Sequence, residues 1–144
     1  MKVYIAAPWF TPEQDQKLQA LKQVLKEKRI KFFSPKDENL FGNDNTATVD
    51  EVLAGNVGAI RACDVVVAIT DGKDVGTIWE CGYAFAKGIQ ILYIWLDRKQ
   101  GQKFNLMLAA SGTVVYDFDA IRYQLEHFKM YGEFDHTDNY GEIE

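Results

Sequence analysis

Apolar residues recur along this chain in two rhythms. Residues 2–7 (KVYIAA), 30–34, 64–70 (DVVVAIT), 90–96 (QILYIWL) and 113–116 are short runs rich in β-branched and aromatic side chains, and each reads as a strand. Between them the spacing becomes helical. Leu18, Leu21, Val24 and Leu25 mark a helix from Pro12 to about Arg29, opened by Thr11-Pro12-Glu13-Gln14, which has the form of a capping box with proline at the first helical position. Val52, Leu53, Val57 and Ile60 mark a second helix from Val49, interrupted by Gly55 and Gly58, which cost helix stability unless something must approach the backbone closely. A third helix runs to residues 87–88, a short one is expected over 103–111, and a last one over 117–128. Residues 36–47 (KDENLFGNDNTA) are polar and turn-rich and form the longest expected loop. Five strands alternating with helices specify an α/β fold: a doubly wound, five-stranded parallel sheet of the flavodoxin-like or Rossmann-like kind, with right-handed crossovers, as one domain over residues 1–144. The uninterrupted DVVVAIT run marks the strand covered on both faces, at the centre of the sheet. The segment after Lys129 (MYGEFDHTDNYGEIE) has no period; it either covers a site or subunit contact, or frays.

Candidate chemistry concentrates after the third strand. Asp74-Val75-Gly76-Thr77-Ile78-Trp79-Glu80-Cys81-Gly82-Tyr83-Ala84 places two carboxylates six residues apart at a strand-to-helix junction, where open α/β sheets hold ligands. Glu80 is followed by an apolar helical stretch, and an acid there needs a reason. Two reasons compete. Thr77-Ile78-Trp79-Glu80 is itself a capping-box pattern, and Asp74 suits a turn or an N-cap. Alternatively the pair is catalytic, with Glu80 as nucleophile at a sugar carbon and Asp74 handling protons at the leaving group, because two carboxylates in different environments serve glycosyl transfer. After the first strand the chain reads Ala6-Ala7-Pro8-Trp9-Phe10, with no glycine cradle for a pyrophosphate. Trp9 and Phe10 suit either core packing or stacking on a flat ligand. Asn56 shares the stripe of Val52 and Ile60, so its amide faces inward.

Composition narrows the function classes. At 144 residues the chain is long enough for a substantial core, and its net charge of −5 without a Lys/Arg block argues against nucleic-acid or acidic-lipid partners. Without a basic, apolar leader or a span of about 20 apolar residues, a cytoplasmic protein with no membrane partner is expected. The two cysteines, Cys63 and Cys81, sit in apolar segments as buried thiols, and His127 and His136 lack neighbours at metal-ligand spacing, so no metal site is expected.

The Asp74–Ala84 run, taken with Tyr4 on the first strand, Pro8-Trp9-Phe10 and Asn105-Leu106-Met107, resembles the nucleoside 2-deoxyribosyltransferases over essentially the whole chain. The resemblance implies a retaining two-step exchange without a cofactor, since the protein's own carboxylate does the covalent work. In it Glu80 attacks C1′ of a 2′-deoxynucleoside and holds the deoxyribosyl ester until another free nucleobase attacks, while Asp74 contacts the base and assists its protonation. It further implies that Tyr4 aims Glu80, that Gly76, Trp9 and Phe10 lie against substrate, and that Asn105 binds the 5′-hydroxyl from a neighbouring subunit, making a homo-oligomer of at least two chains. Outside the resemblance, Tyr4 is an ordinary strand tyrosine and Asn105 a helix cap or turn residue. One departure stands out: family members carry an aspartate where this chain has Asn56, which still hydrogen-bonds but carries no charge. Asn39, in the Asp37-Glu38-Asn39 loop, is nearest to the family's base-binding amide, and purine or pyrimidine preference stays open.

Two other readings compete. A hydrolase of the same superfamily would cleave deoxynucleoside 5′-monophosphates by letting water attack the sugar, and would need serines or a basic residue for the phosphate, where Asn105-Leu106-Met107 here favours a free 5′-hydroxyl. A receiver-like signalling module would need an acidic pair after the first strand, where Ala7-Pro8-Trp9 stand, although Asp71 could mimic its phosphoacceptor.

Overall fold

The computed structural model describes residues 1–38, 47–136 and 143. Five strands, β1 (Lys2–Ala6), β2 (Lys31–Phe33), β3 (Val65–Ile69), β4 (Gln90–Ile94) and β5 (Thr113–Val115), form one all-parallel sheet in the order β2-β1-β3-β4-β5. This is the flavodoxin-like order, and it reverses between β1 and β3. Every residue of β3 is buried, as its unbroken apolar run requires of a central strand.

Alternation along the strands builds two apolar layers. Val3, Ile5, Val65, Val67, Leu92 and Ile94 point to one face, which is covered by α1 (Pro12–Glu27) and α6 (Phe118–Tyr131) through Leu18, Leu21, Leu25, Ile121 and Leu125. Tyr4, Ala6, Val66, Ala68, Ile91 and Tyr93 point to the other. That face is covered by α3 (Val49–Ala62), α4 (Val75–Ala86) and α5 (Leu106–Ser111). Thr11 caps α1 with the full capping box expected of it.

The structure departs from the sequence reading at four places. A four-residue helix, α2 (Pro35–Glu38), lies inside the expected long loop, with the Ser34 carbonyl accepting from the amides of Asp37 at 3.0 Å and Glu38 at 3.3 Å. Helix α5 starts at Leu106 rather than residue 103, because the Asn105 side chain accepts from the amides of Met107 and Leu108 and so sets its N-terminus. Helix α6 continues to Tyr131, where Gly132 takes the left-handed conformation that ends it. A Cβ placed on Gly55 or Gly58 would meet nothing within 4 Å, so neither glycine marks a close approach.

Residues 132–136 are fastened rather than frayed. The Gln90 amide bonds the Gly132 carbonyl and the Phe134 N–H, and the Gln124 amide bonds the carbonyl and N–H of Asp135, while Phe134 is buried. Among the described residues no helix is long and apolar enough to cross a membrane.

Candidate active site

The turn after β3 places Gly72 and Lys73 at φ +80° and +54°, in the left-handed region, and Asp74 follows as the N-cap of α4. Its Oδ2 accepts from the Thr77 N–H at 2.9 Å and the Thr77 hydroxyl at 3.0 Å, and neither bond uses Oδ1. The helix therefore begins three residues before the Thr77–Glu80 pattern, which caps nothing. Glu80, freed from that duty, lies in the second turn and accepts a hydrogen bond from the Tyr4 hydroxyl. The bond joins α4 to β1 at the edge where strand order reverses, the crevice in which open α/β sheets bind ligands.

Burial pushes the Glu80 carboxyl up to about 7, the negative charge of Asp74 adds to the rise, and the Tyr4 hydrogen bond opposes it. The Tyr4 phenol is driven well above its ordinary range, first by burial and then by the charge and hydrogen bond of Glu80. Cys81, buried beside Glu80, is pushed up to about 12 by burial and by the same carboxylate. Of Tyr4, Cys81 and Glu80, it is Glu80 that exchanges a proton near neutral pH. A half-buried carboxylate that titrates near 7, held by one donor and followed by an apolar helix, is suited to nucleophilic or acid–base work.

Phe33, at the end of β2, is the direct register partner of Tyr4 and stacks on its ring, with centroids 5.5 Å apart and planes at 12°. The sequence reading passed over this residue. Its signal, an aromatic opposite an aromatic on a neighbouring strand, exists only once the pairing of β1 with β2 is known. Phe33 also shares the wall of a cavity of about 280 Å³ with Asn56, Gly55 and Val52 of α3 and the carboxylates Glu38 and Glu51. Asn56 is half-buried there, consistent with the inward-facing amide expected from its stripe.

The family model for nucleoside 2-deoxyribosyltransferase matches residues 3–121, a span that includes Tyr4, Asn56, Asp74, Glu80 and Asn105. The chain belongs to the nucleoside 2-deoxyribosyltransferase family. Among individual curated proteins none matches it at a significant level. Solved structures agree on the fold of this family member. A 2-deoxyribosyltransferase from Bacillus psychrosaccharolyticus is 24% identical, with a TM-score of 0.73 over 85% of this chain and 90% of that one. A 2-deoxyribosyltransferase from Leishmania mexicana is 22% identical, with a TM-score of 0.57 over 99% of this chain and 82% of that one. A CMP N-glycosidase from Clostridium botulinum is 19% identical, with a TM-score of 0.57 over 81% of this chain and 88% of that one.

Other residues singled out in this deoxyribosyltransferase-family chain are more scattered. Asn105 lines a separate cavity of about 530 Å³ with Ile78, Trp95, Phe104, Lys73 and Lys103. Ile78 and Glu80 are two positions apart and project about 200° apart around α4. One chain therefore puts Asn105 across α4 from the Glu80 carboxylate. Trp9 packs against the apolar layer of the α1 and α6 face, and Phe10, 70% exposed, lies beside it at 5.0 Å between ring centroids. Gly76 is exposed in the first turn of α4, where a Cβ would stand 3.4 Å from Asp74 Oδ2. Asn39 lies outside the described residues. Asp71 is buried with its two oxygens accepting from the amides of Leu96 at 3.0 Å and Asp97 at 2.7 Å, which makes it a clasp between the β3 turn and the end of β4, not an exposed phosphoacceptor.

Proposed function

We propose that the chain moves a 2-deoxyribosyl group from one nucleobase to another, with net retention at C1′ and no cofactor. The observation that carries this reading is the Tyr4–Glu80 pair: a carboxylate titrating near 7, aimed by a phenol, at the sheet's switch point. Ionised Glu80 attacks C1′ of a 2′-deoxynucleoside and forms an ester as the bond from C1′ to the base nitrogen breaks. The departing base takes the bonding electron pair and a proton from solvent, a transfer that Asp74 assists through Oδ1. A nitrogen of a second base then attacks C1′ from the opened face, releases the carboxylate and loses its own proton. Two inversions give retention. Tyr4 keeps the nucleophile oriented, Gly76 leaves Asp74 uncovered, and Asn56 bonds a sugar hydroxyl or a base edge. Trp9 and Phe10 approach the substrate from the end of β1, and Asn39 belongs to the base-reading loop. Asn105, standing across α4, serves the Glu80 of a second copy through the 5′-hydroxyl, so the working unit is a homo-oligomer.

The reading is tested by mixing a 2′-deoxynucleoside with a different free base and following both nucleosides by chromatography; exchange is expected, and release of deoxyribose alone would replace transfer by hydrolysis. Mixing Glu80→Ala with Asn105→Ala chains tests the second copy. Recovery of activity on mixing is expected, and no recovery would return Asn105 to a capping role.

A second reading, an N-glycosidase for 2′-deoxynucleoside 5′-monophosphates, draws on Lys73 and Lys103, which line the Asn105 cavity and, offered to the Glu80 of a second copy as Asn105 is, supply the cations a phosphate requires. The same chromatography with a 5′-monophosphate as sole substrate separates the two, since water-dependent cleavage exceeding nucleoside exchange would favour it.

A further inference from the structure

Asp71 is a carboxylate that the proposed reaction does not use. It is nevertheless only 7% exposed, and its two oxygens accept from the amides of Leu96 and Asp97 at the end of β4. Burying an acid is unfavourable, and the β3–β4 ladder is already in register from Val65 to Ile69 without it. Its position supplies the reason. Only Gly72 and Lys73 separate it from Asp74, and both are left-handed, at φ +80° and +54°. A lysine in that region is strained, and it persists only where its surroundings over-determine it. Here they do so from both ends. The Thr70 N–H and hydroxyl hold the Ile94 carbonyl at 2.8 and 2.9 Å, the Lys73 N–H bonds the Thr70 carbonyl at 3.0 Å, and Asp74 is locked to Thr77.

We infer that Asp71 is a positioning residue: by clasping the end of β4 it sets the turn that presents Asp74 to the leaving base and to Glu80. This rests on the roles proposed for Asp74 and Glu80, and adds the group that fixes their spacing. Glu80 feels the charge of Asp74 and the hydrogen bond of Tyr4 from β1; Cys81 lies beside it, and Cys63, at the end of α3, acts on Tyr4. Loosening the clasp lets the strained turn relax and the first turn of α4 fray. The Asp74 charge then moves away from Glu80.

The test follows Glu80 in two ways: by carbon-13 NMR titration of its side-chain carboxyl, assigned with Glu80→Gln, and by the acid limb of kcat/KM for a 2′-deoxynucleoside. Asp71→Asn keeps the size of the side chain and one of its two acceptors; Asp71→Ser, which is smaller, repeats the measurement should Asp71→Asn not fold. Either variant is expected to move both titrations to lower pH by about half to one unit, and to lower the plateau of kcat/KM by about tenfold. Combined with Asp74→Asn, it should shift Glu80 no further than Asp74→Asn alone, because its effect passes through Asp74. An unmoved titration with a lowered melting temperature would leave Asp71 a clasp of the fold and nothing more. Shifts that add in the double variant would mean that its own charge acts on Glu80, and either result overturns the assignment. An NMR titration that moves as expected in a chain that exchanges no bases would instead uphold the positioning role and sink the transfer reaction.

Discussion

The two faces of the sheet are built from alternate residues of the same strands, yet they do different work. On the α1 and α6 face the buried residues of β1, β3 and β4 are all aliphatic, from Val3 and Ile5 through Val67 to Leu92 and Ile94, and the helices answer with leucines, Val24 and Ile121. On the opposite face the aliphatics Val66, Ile91 and Val114 share the strands with small residues, Ala6 and Ala68, and phenols, Tyr4 and Tyr93, and the Cys63 and Cys81 thiols lie among them. Small side chains let α4 lie close to the sheet, and each phenol carries an apolar ring inward and a polar tip to a partner. Tyr4 reaches Glu80, and Tyr93 meets the Ser111 hydroxyl at 2.7 Å. Gly112 serves the second arrangement, since a Cβ there would stand 2.5 Å from the Ile91 carbonyl oxygen and 2.7 Å from the Tyr93 ring. One face thus supplies cohesion, and the other exchanges some of it for buried polar contacts that can act on a substrate.

The comparison breaks most sharply with one substitution on each face. Glu80→Ala is expected to lower the rate of base exchange by about a thousandfold or more, while the melting temperature stays level or rises, because a half-buried acid whose ionisation burial opposes has been removed. Retained turnover in a base-exchange assay would take the nucleophile's role from Glu80. Leu92→Ala, on the aliphatic face, should do the reverse. Denaturant unfolding is expected to report a loss of about 2–5 kcal/mol, from a cavity beneath a fully buried side chain, with the pH dependence of the remaining activity unmoved.

A third substitution sharpens the cost of keeping chemistry inside. In the folded chain Glu80 titrates near 7, against an ordinary value of 4.5. Between those values the native state binds the proton that the unfolded chain has already released, so stability falls as pH rises from about 4.5 to 7 and is level beyond. Glu80→Gln carries no such proton. It should match the wild type near pH 4 and be roughly 1–3 kcal/mol more stable at pH 8, a gain read from paired urea titrations at the two pH values. Equal differences at both would mean that Glu80 does not titrate as its burial dictates.

How much of this was legible beforehand depended on whether a signal was local. The strands, the capping box at Thr11 and the burial of β3 follow from side chains a few positions apart, and the structure bears them out. The assignment of Asp74 and Glu80 was ambiguous for the same reason: both Asp74 and Thr77 are good N-cap residues, and only the observed bonds from Thr77 to Asp74 decide which one starts the helix. The Phe33–Tyr4 stack and the separation of Asn105 from Glu80 by α4 are invisible to local pattern, since they depend on strand register and on which side of a helix a residue falls. Helix α2 was missed because four residues between proline and polar loop are too few to show a period.

The smallest effects, and the most discriminating, concern the pH at which the polar face switches on. If Glu80 attacks as a carboxylate, kcat/KM for the 2′-deoxynucleoside should rise with pH along an acid limb near 7, the value of the free enzyme's Glu80. The two neighbours act on that limb in opposite directions. Asp74 raises the Glu80 value through its charge, so Asp74→Asn should move the limb to lower pH even though it also weakens the cap of α4. Tyr4 lowers it through its hydrogen bond, so Tyr4→Phe should move the limb to higher pH while leaving the ring stacked on Phe33. Each displacement is expected to be about half to one pH unit, with a smaller loss of maximal rate for Tyr4→Phe than for Glu80→Ala. Limbs that move together in the two variants would mean that a shared structural disturbance, not the balance of one charge against one hydrogen bond, sets the proton on Glu80.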